Sequence, residues 1–524
     1  MANAYKVYVA DGARLEKKYG KADADKIHDA VTQRASTEAQ RFGRTEYVQL
    51  NDSAQMSALG APALPAHPKD RHYKDLVDAV WDALMPSYLV IIGADDAFPH
   101  QSLSNPLRPK PSQPSFPDPD KRVLSDLPYA CAQKYSRHPR DYTGPTRVVG
   151  RIPDIFGSNN PAYLLALLRA DPNRAPQPAS TYRDIFAISA EKWLTSTSLT
   201  LHDVLGAHAT IRTCPQEGPN WTVTDMRPLT HYINCHGTSG SSTFQGEGDT
   251  NLRPVAVDAT NVERDAVDGT VVIAECCYGA ELFLPRPNPP IANAYLERGA
   301  HCVVGSTTTS FGAEDKSDHA DLLCGAFLGS LLEGKSTGEA LLVARQRYVV
   351  HRPSLDPTDL KTLAQFILLG DPSAHPVGDS QTLTVAHRTR PMRRADARIH
   401  GVASRAVTAV SAKAASAPSD SVRAELERIA EEWGLVKGEA TYQRFDIGPP
   451  PNRKLSADAG RKNGTASVST SACYLICGSF RAPDAAPMGG DGKPQARTIF
   501  ISVLEVDGRL TERRVSYAKS ATAR

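Results

Sequence analysis

Two stretches decide the fold of this chain. They are His231-Tyr232-Ile233-Asn234-Cys235-His236-Gly237 and Thr270-Val271-Val272-Ile273-Ala274-Glu275-Cys276-Cys277-Tyr278-Gly279. Each is a short apolar run of strand length that stops at reactive side chains and a glycine. A run of this kind suits a strand buried on both faces, as in a parallel sheet covered by helices. Two such strands side by side bring an imidazole and a thiol to one sheet edge.

The surrounding sequence repeats the alternation. Lys6–Ala10, Tyr47–Leu50, Tyr88–Gly93, Arg147–Ile152, Ile185–Ser189, His301–Ser306 and Ala364–Leu369 read as strands. Ala22–Arg41, Tyr73–Leu84, Glu191–Leu205, Ala320–Leu332 and Thr337–Tyr348 read as helices, and a further helix begins at Tyr163. This order predicts an α/β fold, a mostly parallel sheet with helices on both faces. Residues 99–119 are rich in proline and read as a surface loop.

With 524 residues the chain is too long for one ordinary core. We divide it into 1–84 (an N-terminal α/β part of the core), 85–377 (the central domain), a linker over 378–420 and a small α+β domain over 421–524. In the last domain Ser421–Trp433 has helical periodicity. Thr441–Ile447, Ala466–Gly478 and Arg497–Tyr517 read as strands, with Asp507-Gly508 as a hairpin turn. From residue 386 onward, 23 Lys and Arg face 14 Asp and Glu, so the tail is basic although the whole chain carries only +2. That balance implies no general affinity for nucleic acid. The arginines near residues 388–398 read as a solvated linker. No apolar run reaches membrane-spanning length, and Met1–Ala10 has no secretory core. Nine cysteines without regular spacing point to a reducing cytoplasm rather than a disulfide framework.

The chemistry follows from the strand ends. A thiol becomes a strong nucleophile when it loses its proton, and an imidazole can take that proton. His236 is the candidate base and Cys277 the candidate nucleophile. Gly237 permits a sharp turn, and the backbone N–H groups of Gly237 and Cys277 can form an oxyanion hole, worth about 3–4 kcal/mol per donor. Cys276 is the alternative nucleophile, since adjacent strand residues point to opposite faces. Glu275, Asp126 and Asp249 are the acidic candidates for orienting His236. A Cys/His zinc site from Cys235, His236, Cys276 and Cys277 is disfavoured, because neighbouring side chains diverge. Cys131, Cys235, Cys302 and Cys324 read as small core residues, as do Cys473 and Cys477. Gly237–Ser242 lacks the lysine and hydroxyl of a phosphate loop and reads as a flexible active-site loop.

His-Gly after one strand and Cys-x-Gly after the next resembles the caspase-like (clan CD) cysteine peptidases, above all the gingipain-type C25 and CHAT-domain groups. Further segments carry the same likeness in the same order: Tyr88–Asp95 with Phe98-Pro99, Ser125–Ala130 leading to Arg147–Pro153, Glu275–Ala280, Gly299–Thr307 and Phe366–Pro372. The resemblance covers roughly residues 85–375 and favours Cys277 over Cys276 by its Cys-x-Gly spacing. It implies a caspase-like fold and hydrolysis of protein or peptide substrates by a Cys–His dyad. No cofactor or catalytic metal is implied, and at most a structural calcium. The acidic Glu314 and Asp315, with Ser306 and Thr307 before them, are candidates for a pocket receiving a basic side chain. A regulated bacterial, defence-linked protease, switched on by a partner at the C-terminal domain, fits the cytoplasmic expectation. The alternative is a catalytically silent binding module on the same fold.

Overall fold

The computed structural model describes residues 3–107, 118–171, 174–206, 209–248, 252–285, 287–350, 352 and 355–378, together with the strands 441–447, 471–480, 497–506 and 509–518. The chain divides into two compact units, 1–349 with 355–401, and 350–354 with 402–524.

The first unit is α/β. Its strands are β1 (Lys6–Ala10), β2 (Thr45–Gln49), β3 (Tyr88–Ile92), β4 (Gln101–Ser104), β5 (Arg122–Ser125), β6 (Val149–Ile152), β7 (Ile185–Ala190) and β8 (Ile211–Cys214). They continue with β9 (Thr230–Asn234), β10 (His236–Gly237), β11 (Thr243–Gln245), β12 (Val255–Asp258), β13 (Val271–Ala274), β14 (Cys302–Ser306) and β15 (Phe366–Gly370). Ten of them form one sheet in the order β2-β1-β3-β6-β15-β14-β13-β9-β7-β8. Strands from residues 1–84 and from the central segment therefore share a single sheet. Neighbouring strands are parallel on either side of β15, which runs antiparallel to β14 and meets β6 through the single pair Leu369 and Arg151. The antiparallel pairing has a local cause. Helix Pro357–Gln365 runs straight into Phe366, and Gln365 lies beside the end of β14, where its carbonyl accepts from Thr307 N–H at 3.0 Å. The chain thus enters the sheet at the carboxyl end of β14 and can only run back along it.

Alternation along the strands feeds two cores on opposite faces. Val7 and Val9 pack with Tyr73, Leu76, Val77 and Val80 of helix Asp70–Leu84, while Tyr8 and Ala10 pack with Ile27 and Val31 of helix Lys21–Phe42. In the other half, Val271 and Ile273 meet Leu323 and Phe327 of helix Ala320–Leu332. Val272 and Ala274 meet the helix Ile291–Glu297. Both faces are covered, which explains why the central strands are apolar throughout. Helix Lys21–Phe42 is largely polar in composition. It is held on the sheet by Ala24, Ile27, Ala30, Val31, Arg34, Ala35 and Glu38, a stripe at helical spacing, and is bounded by Gly20 and Gly43 at positive φ.

Among the described residues of the first unit, two small antiparallel sheets lie outside this arrangement. One pairs β4 with β5, and the other is β10-β11-β12. Among the described residues no helix is long and apolar enough to cross a membrane.

The second unit contributes β16 (Thr441–Ile447), β17 (Ser471–Phe480), β18 (Arg497–Val506) and β19 (Arg509–Ala518), an antiparallel sheet in that order. The expected helix Ser421–Trp433, the arginine-rich linker, the side chains of Cys473 and Cys477, and the turn Asp507-Gly508 lie outside the described residues.

Candidate active site

Strands β9 and β13 are parallel, with Ile233 opposite Ala274. The Glu275 N–H donates to Ile233 O at 2.8 Å, so the pairing continues past the strand ends. Three further residues along each chain reach His236 and Cys277, which stand side by side at the carboxyl edge of the sheet. The backbones there are in contact: a Cβ added to Gly237 would lie 1.8 Å from the Cys277 carbonyl oxygen. No side chain fits, which gives the His-Gly glycine its physical reason.

The two adjacent thiols occupy different environments. Cys276 is 1% exposed, its thiol donates to Ile233 O at 3.4 Å, and burial pushes it well above the usual thiol range. Cys277 is half-buried and lines a small cavity of about 30 Å³ with Trp193, Asn234, Glu275, Ser310 and Gly312. Its sulfur accepts from Ser310 N–H at 3.3 Å and donates to Ser310 O at 3.5 Å. Burial raises the Cys277 thiol above its ordinary value, opposed by the Ser310 N–H, the Lys361 charge and the Gly237 N–H. The thiol is therefore protonated at neutral pH. Among the described residues nothing accepts a hydrogen bond from the Cys277 backbone N–H.

The turn after Cys277 is strained. Tyr278 has φ +57°, a left-handed conformation that costs a residue with a bulky side chain. Its backbone N–H donates to Thr308 O at 3.0 Å, and Ala280 N–H donates to Ser306 O at 2.8 Å.

His236 is oriented by Glu247. The ring Nε2 lies 2.5 Å from Glu247 Oε2, which leaves Nδ1 free of that carboxylate. A carboxylate at Nε2 selects the tautomer with its proton there and makes Nδ1 the basic nitrogen. Trp193 packs against the imidazole with ring centroids 4.4 Å apart. Burial, together with Arg253, lowers the His236 pKa below its ordinary value, although Glu247 opposes this. Burial would raise the Glu247 carboxyl, but Lys192 and His236 outweigh it and hold the group below the usual range. Lys192 reaches Glu247 Oε1 at 3.1 Å and Glu314 Oε1 at 3.3 Å, and Arg253 approaches Glu247 Oε2 at 3.4 Å. In this resting arrangement His236 and Cys277 make no direct hydrogen bond. The ring is bonded to Glu247 and the thiol to Ser310.

The orienting acid differs from the sequence candidates. Glu275 makes no hydrogen bond to His236; it accepts from the Tyr232 hydroxyl and meets Asp321. Asp126 binds the fully buried Arg151 and lies 3.2 Å from His100 Nδ1. Asp249 lies outside the described residues. Glu247 reaches the ring because β10 and β11 fold back on each other, placing Gln245 opposite His236. The turn Thr238–Ser242 between them hints at that return, and Gly246-Glu247-Gly248 follows directly. The same turn is anchored: Ser239 Oγ and Gly240 N–H donate to Glu281 at 2.7 and 2.8 Å.

Ser306 and Thr307 do not line an opening, contrary to expectation. Both are buried at the end of β14. The Ser306 hydroxyl donates to the Cys276 and Thr308 carbonyls, and the Thr307 hydroxyl to Leu124 O. Strand β14 ends at Ser306, where the sequence places it, but its end is covered by neighbouring chain, so these hydroxyls meet backbone carbonyls instead of an opening. Glu314 and Asp315 are exposed. Behind the Cys277 cavity stand Glu275 and Asp321 instead. Burial and the neighbouring Asp321 charge raise Glu275 well above the carboxylate range, and burial raises Asp321 to about 6. Gly312 leaves the space in front of them open, since a Cβ there would meet Asp321 Oδ2 at 3.0 Å and Glu275 Oε1 at 3.5 Å. The Ser310 hydroxyl is buried without a hydrogen-bond partner among the described residues.

Cys131, Cys235, Cys302 and Cys324 are buried in the core. Among the described residues the grouping of side chains able to hold an ion is His319, Asp356 and Asp359, not the four cysteine and histidine side chains at the strand ends. Those carboxylates already serve a helix start: Asp356 accepts from Asp359 N–H, and Asp359 accepts from Asp356 N–H and from the Tyr348 hydroxyl. No protein-family model matches this chain, and no match is found among curated proteins.

Proposed function

We propose that this protein is a caspase-like cysteine endopeptidase with Cys277 as nucleophile, His236 as general base and Glu247 as the orienting carboxylate. One observation carries the reading. The continued register of β9 and β13 sets His236 beside Cys277, with Gly237 against the Cys277 backbone. In the reaction Cys277 Sγ leaves the Ser310 carbonyl and attacks the scissile carbonyl carbon, and its proton passes to His236 Nδ1. Glu247 stabilises the imidazolium. The Cys277 and Gly237 N–H groups receive the developing oxyanion. His236 then gives the proton to the leaving amine, and water, activated by the same ring, hydrolyses the thioester. Both partners rest neutral, so this is general-base activation rather than a standing thiolate–imidazolium pair.

A peptidyl acyloxymethyl ketone tests the assignment. It is expected to label Cys277 in the wild type and to lose at least tenfold of that labelling rate in His236→Ala, read by mass spectrometry of the Cys277 peptide. Equal labelling of the two proteins would dismiss the dyad.

The cavity beside Cys277 suits a basic side chain before the scissile bond. At neutral pH the Glu275–Asp321 pair holds about one negative charge, behind the opening left by Gly312. Its present volume is about that of one water, so a lysine or arginine side chain enters only when the 310–313 segment moves outward. Peptide-library cleavage is expected to favour Lys or Arg at that position over Leu. Asp321→Asn should lower that preference about tenfold, the loss of one charge-assisted bond. For basic substrates KM should fall as pH rises through about 6, because Asp321 gains its charge there. A preference for Asp, or a preference indifferent to Asp321→Asn, would count against this pocket.

A further inference from the structure

A second group of buried charges touches the nucleophile turn without belonging to the dyad. Lys361, on helix Pro357–Gln365, is fully buried. Its Nζ donates to Asp118 Oδ2 at 2.6 Å and to Asp120 Oδ2 at 2.8 Å, and lies 5.2 Å from the Phe311 ring centre. Asp120 in turn accepts from the Tyr278 hydroxyl at 2.9 Å and from Thr309 N–H at 2.8 Å. The Thr309 hydroxyl donates to Tyr278 Oη at 3.2 Å. One carboxylate therefore grips both the strained residue that follows the thiol and the segment whose next residue, Ser310, is bonded to the thiol.

The arrangement costs free energy that the fold alone does not require. A buried ion pair recovers its desolvation only with good geometry, and Tyr278 is held where a bulky residue is disfavoured. Such strain persists only where its surroundings fix it. Here the Asp120 carboxylate holds the Tyr278 side chain while the Thr308 carbonyl holds its backbone N–H.

We propose that Asp120 and Lys361 are positioning residues for Cys277, acting through the Tyr278 hydroxyl and the Thr309–Phe311 segment to fix the thiol's place and its ionisation. This rests on the reading of Cys277 as the nucleophile. Lys361 supplies a buried positive charge on one side of the sulfur, and Asp120 and Asp118 offset it. The other groups around the thiol are His236 with Glu247 at the adjacent strand end, Cys276 and Tyr278 beside it in the chain, and Glu275 with Asp321 behind the cavity. Burial would raise the Asp120 carboxyl, but Lys361, the Thr309 N–H and the Tyr278 hydroxyl outweigh it, so Asp120 stays ionised.

The test is the pH profile of Cys277 alkylation by iodoacetamide, read on the Cys277 peptide, for wild type, Tyr278→Phe, Asp120→Asn, the double variant of these two, and Lys361→Met. Lys361→Met is expected to move the alkylation midpoint up by about one pH unit. Tyr278→Phe, which keeps the ring and loses only the hydroxyl, is expected to lower kcat about tenfold with KM unchanged. Asp120→Asn added to it should cost less than the product of the two single losses, since both break one bond. An unmoved midpoint in folded Lys361→Met, or fully independent losses in the cycle, would overturn the proposal. If Lys361→Met does not fold, the cycle decides alone. Alkylation needs no peptide hydrolysis, so a wild type that cleaves nothing while Lys361→Met shifts the midpoint supports the network and defeats the peptidase reading.

Discussion

Replacing Cys277 by alanine is expected to remove peptide hydrolysis by about four orders of magnitude or more, while Cys276→Ala leaves most of it. The contrast follows from two neighbours with opposite surroundings. The Cys276 thiol is closed in, bonded to Ile233 O, and has no route to a substrate. The Cys277 thiol lines the cavity, and its own backbone N–H is open to an oxyanion. His236→Ala should lose nearly as much as Cys277→Ala, and the double variant no more than either, because in the proposed dyad nucleophile and base act as one unit. The pH dependence has a definite sign. His236 must be neutral to accept the proton. With its pKa held below 6.5, kcat/KM should rise with pH only on the acid side of that value and level off through neutrality. The Cys277 thiol, raised above 9, should impose no limb between. Steady-state kinetics on a short peptide from pH 4 to 9 checks this. Activity retained by Cys277→Ala and lost by Cys276→Ala would transfer the nucleophile to the other thiol.

Asp371→Asn is expected to destabilise the first unit by about 3–5 kcal/mol, the usual cost of breaking a buried ion network by removing one partner. Asp371 follows the last strand and accepts from Lys6 Nζ at 2.9 Å and Arg34 Nη2 at 2.8 Å. Glu38 completes the group, 2.8 Å from Lys6 Nζ and bonded to the Tyr8 hydroxyl at 2.8 Å. Lys6 and Glu38 are essentially inaccessible to water. Without the Asp371 carboxylate, two cations face one anion in a dry site. The same network joins β1 and helix Lys21–Phe42 to the end of β15, so its loss acts on both halves of the sheet. Burial alone would raise the Asp371 carboxyl, but Lys6 and Arg34 outweigh it and hold it far below the usual range. A depressed folded-state value means the stabilisation is fully present above the unfolded carboxyl value near 4 and is lost as pH falls through the folded one. Urea unfolding followed by circular dichroism, at pH 7 and pH 3, measures both effects. A change below about 1 kcal/mol at pH 7 would show that the remaining groups repack around the missing charge.

Much of the scaffold is legible in the sequence because its signals are local. The apolar runs Tyr88–Ile92, Val271–Ala274 and Cys302–Val304 are strands since their length and composition suit burial on both faces. The stripe Leu76, Val77, Val80, Trp81 and Leu84 recurs at helical spacing and lies in helix Asp70–Leu84. His236-Gly237 and Cys277 end such strands, so their meeting at one edge follows once the two strands pair. The remainder depends on distant partners. Glu247 carries no mark of its own and becomes the imidazole's partner through the β10–β11 return. Ser306 and Thr307 look like pocket residues until the Cys276 and Leu124 carbonyls, from other parts of the chain, close over their hydroxyls. Lys361 and Asp120 are 241 positions apart, and no pattern around either announces the other.

The amino-acid sequence by itself determined many of the buried strands and helices, though not Gln101–Ser104, Ile291–Glu297 or Pro357–Gln365, and which reactive side chains stand at strand ends, because hydrophobic periodicity is written residue by residue. Only the tertiary structure decided which carboxylate holds the imidazole, which of two adjacent thiols opens to a cavity, and which buried charges surround the turn after Cys277. Those outcomes are set by register and by the desolvation of charges brought together from remote parts of the chain. A buried charge persists where a partner arrives to meet it, and that arrival is a property of the whole fold.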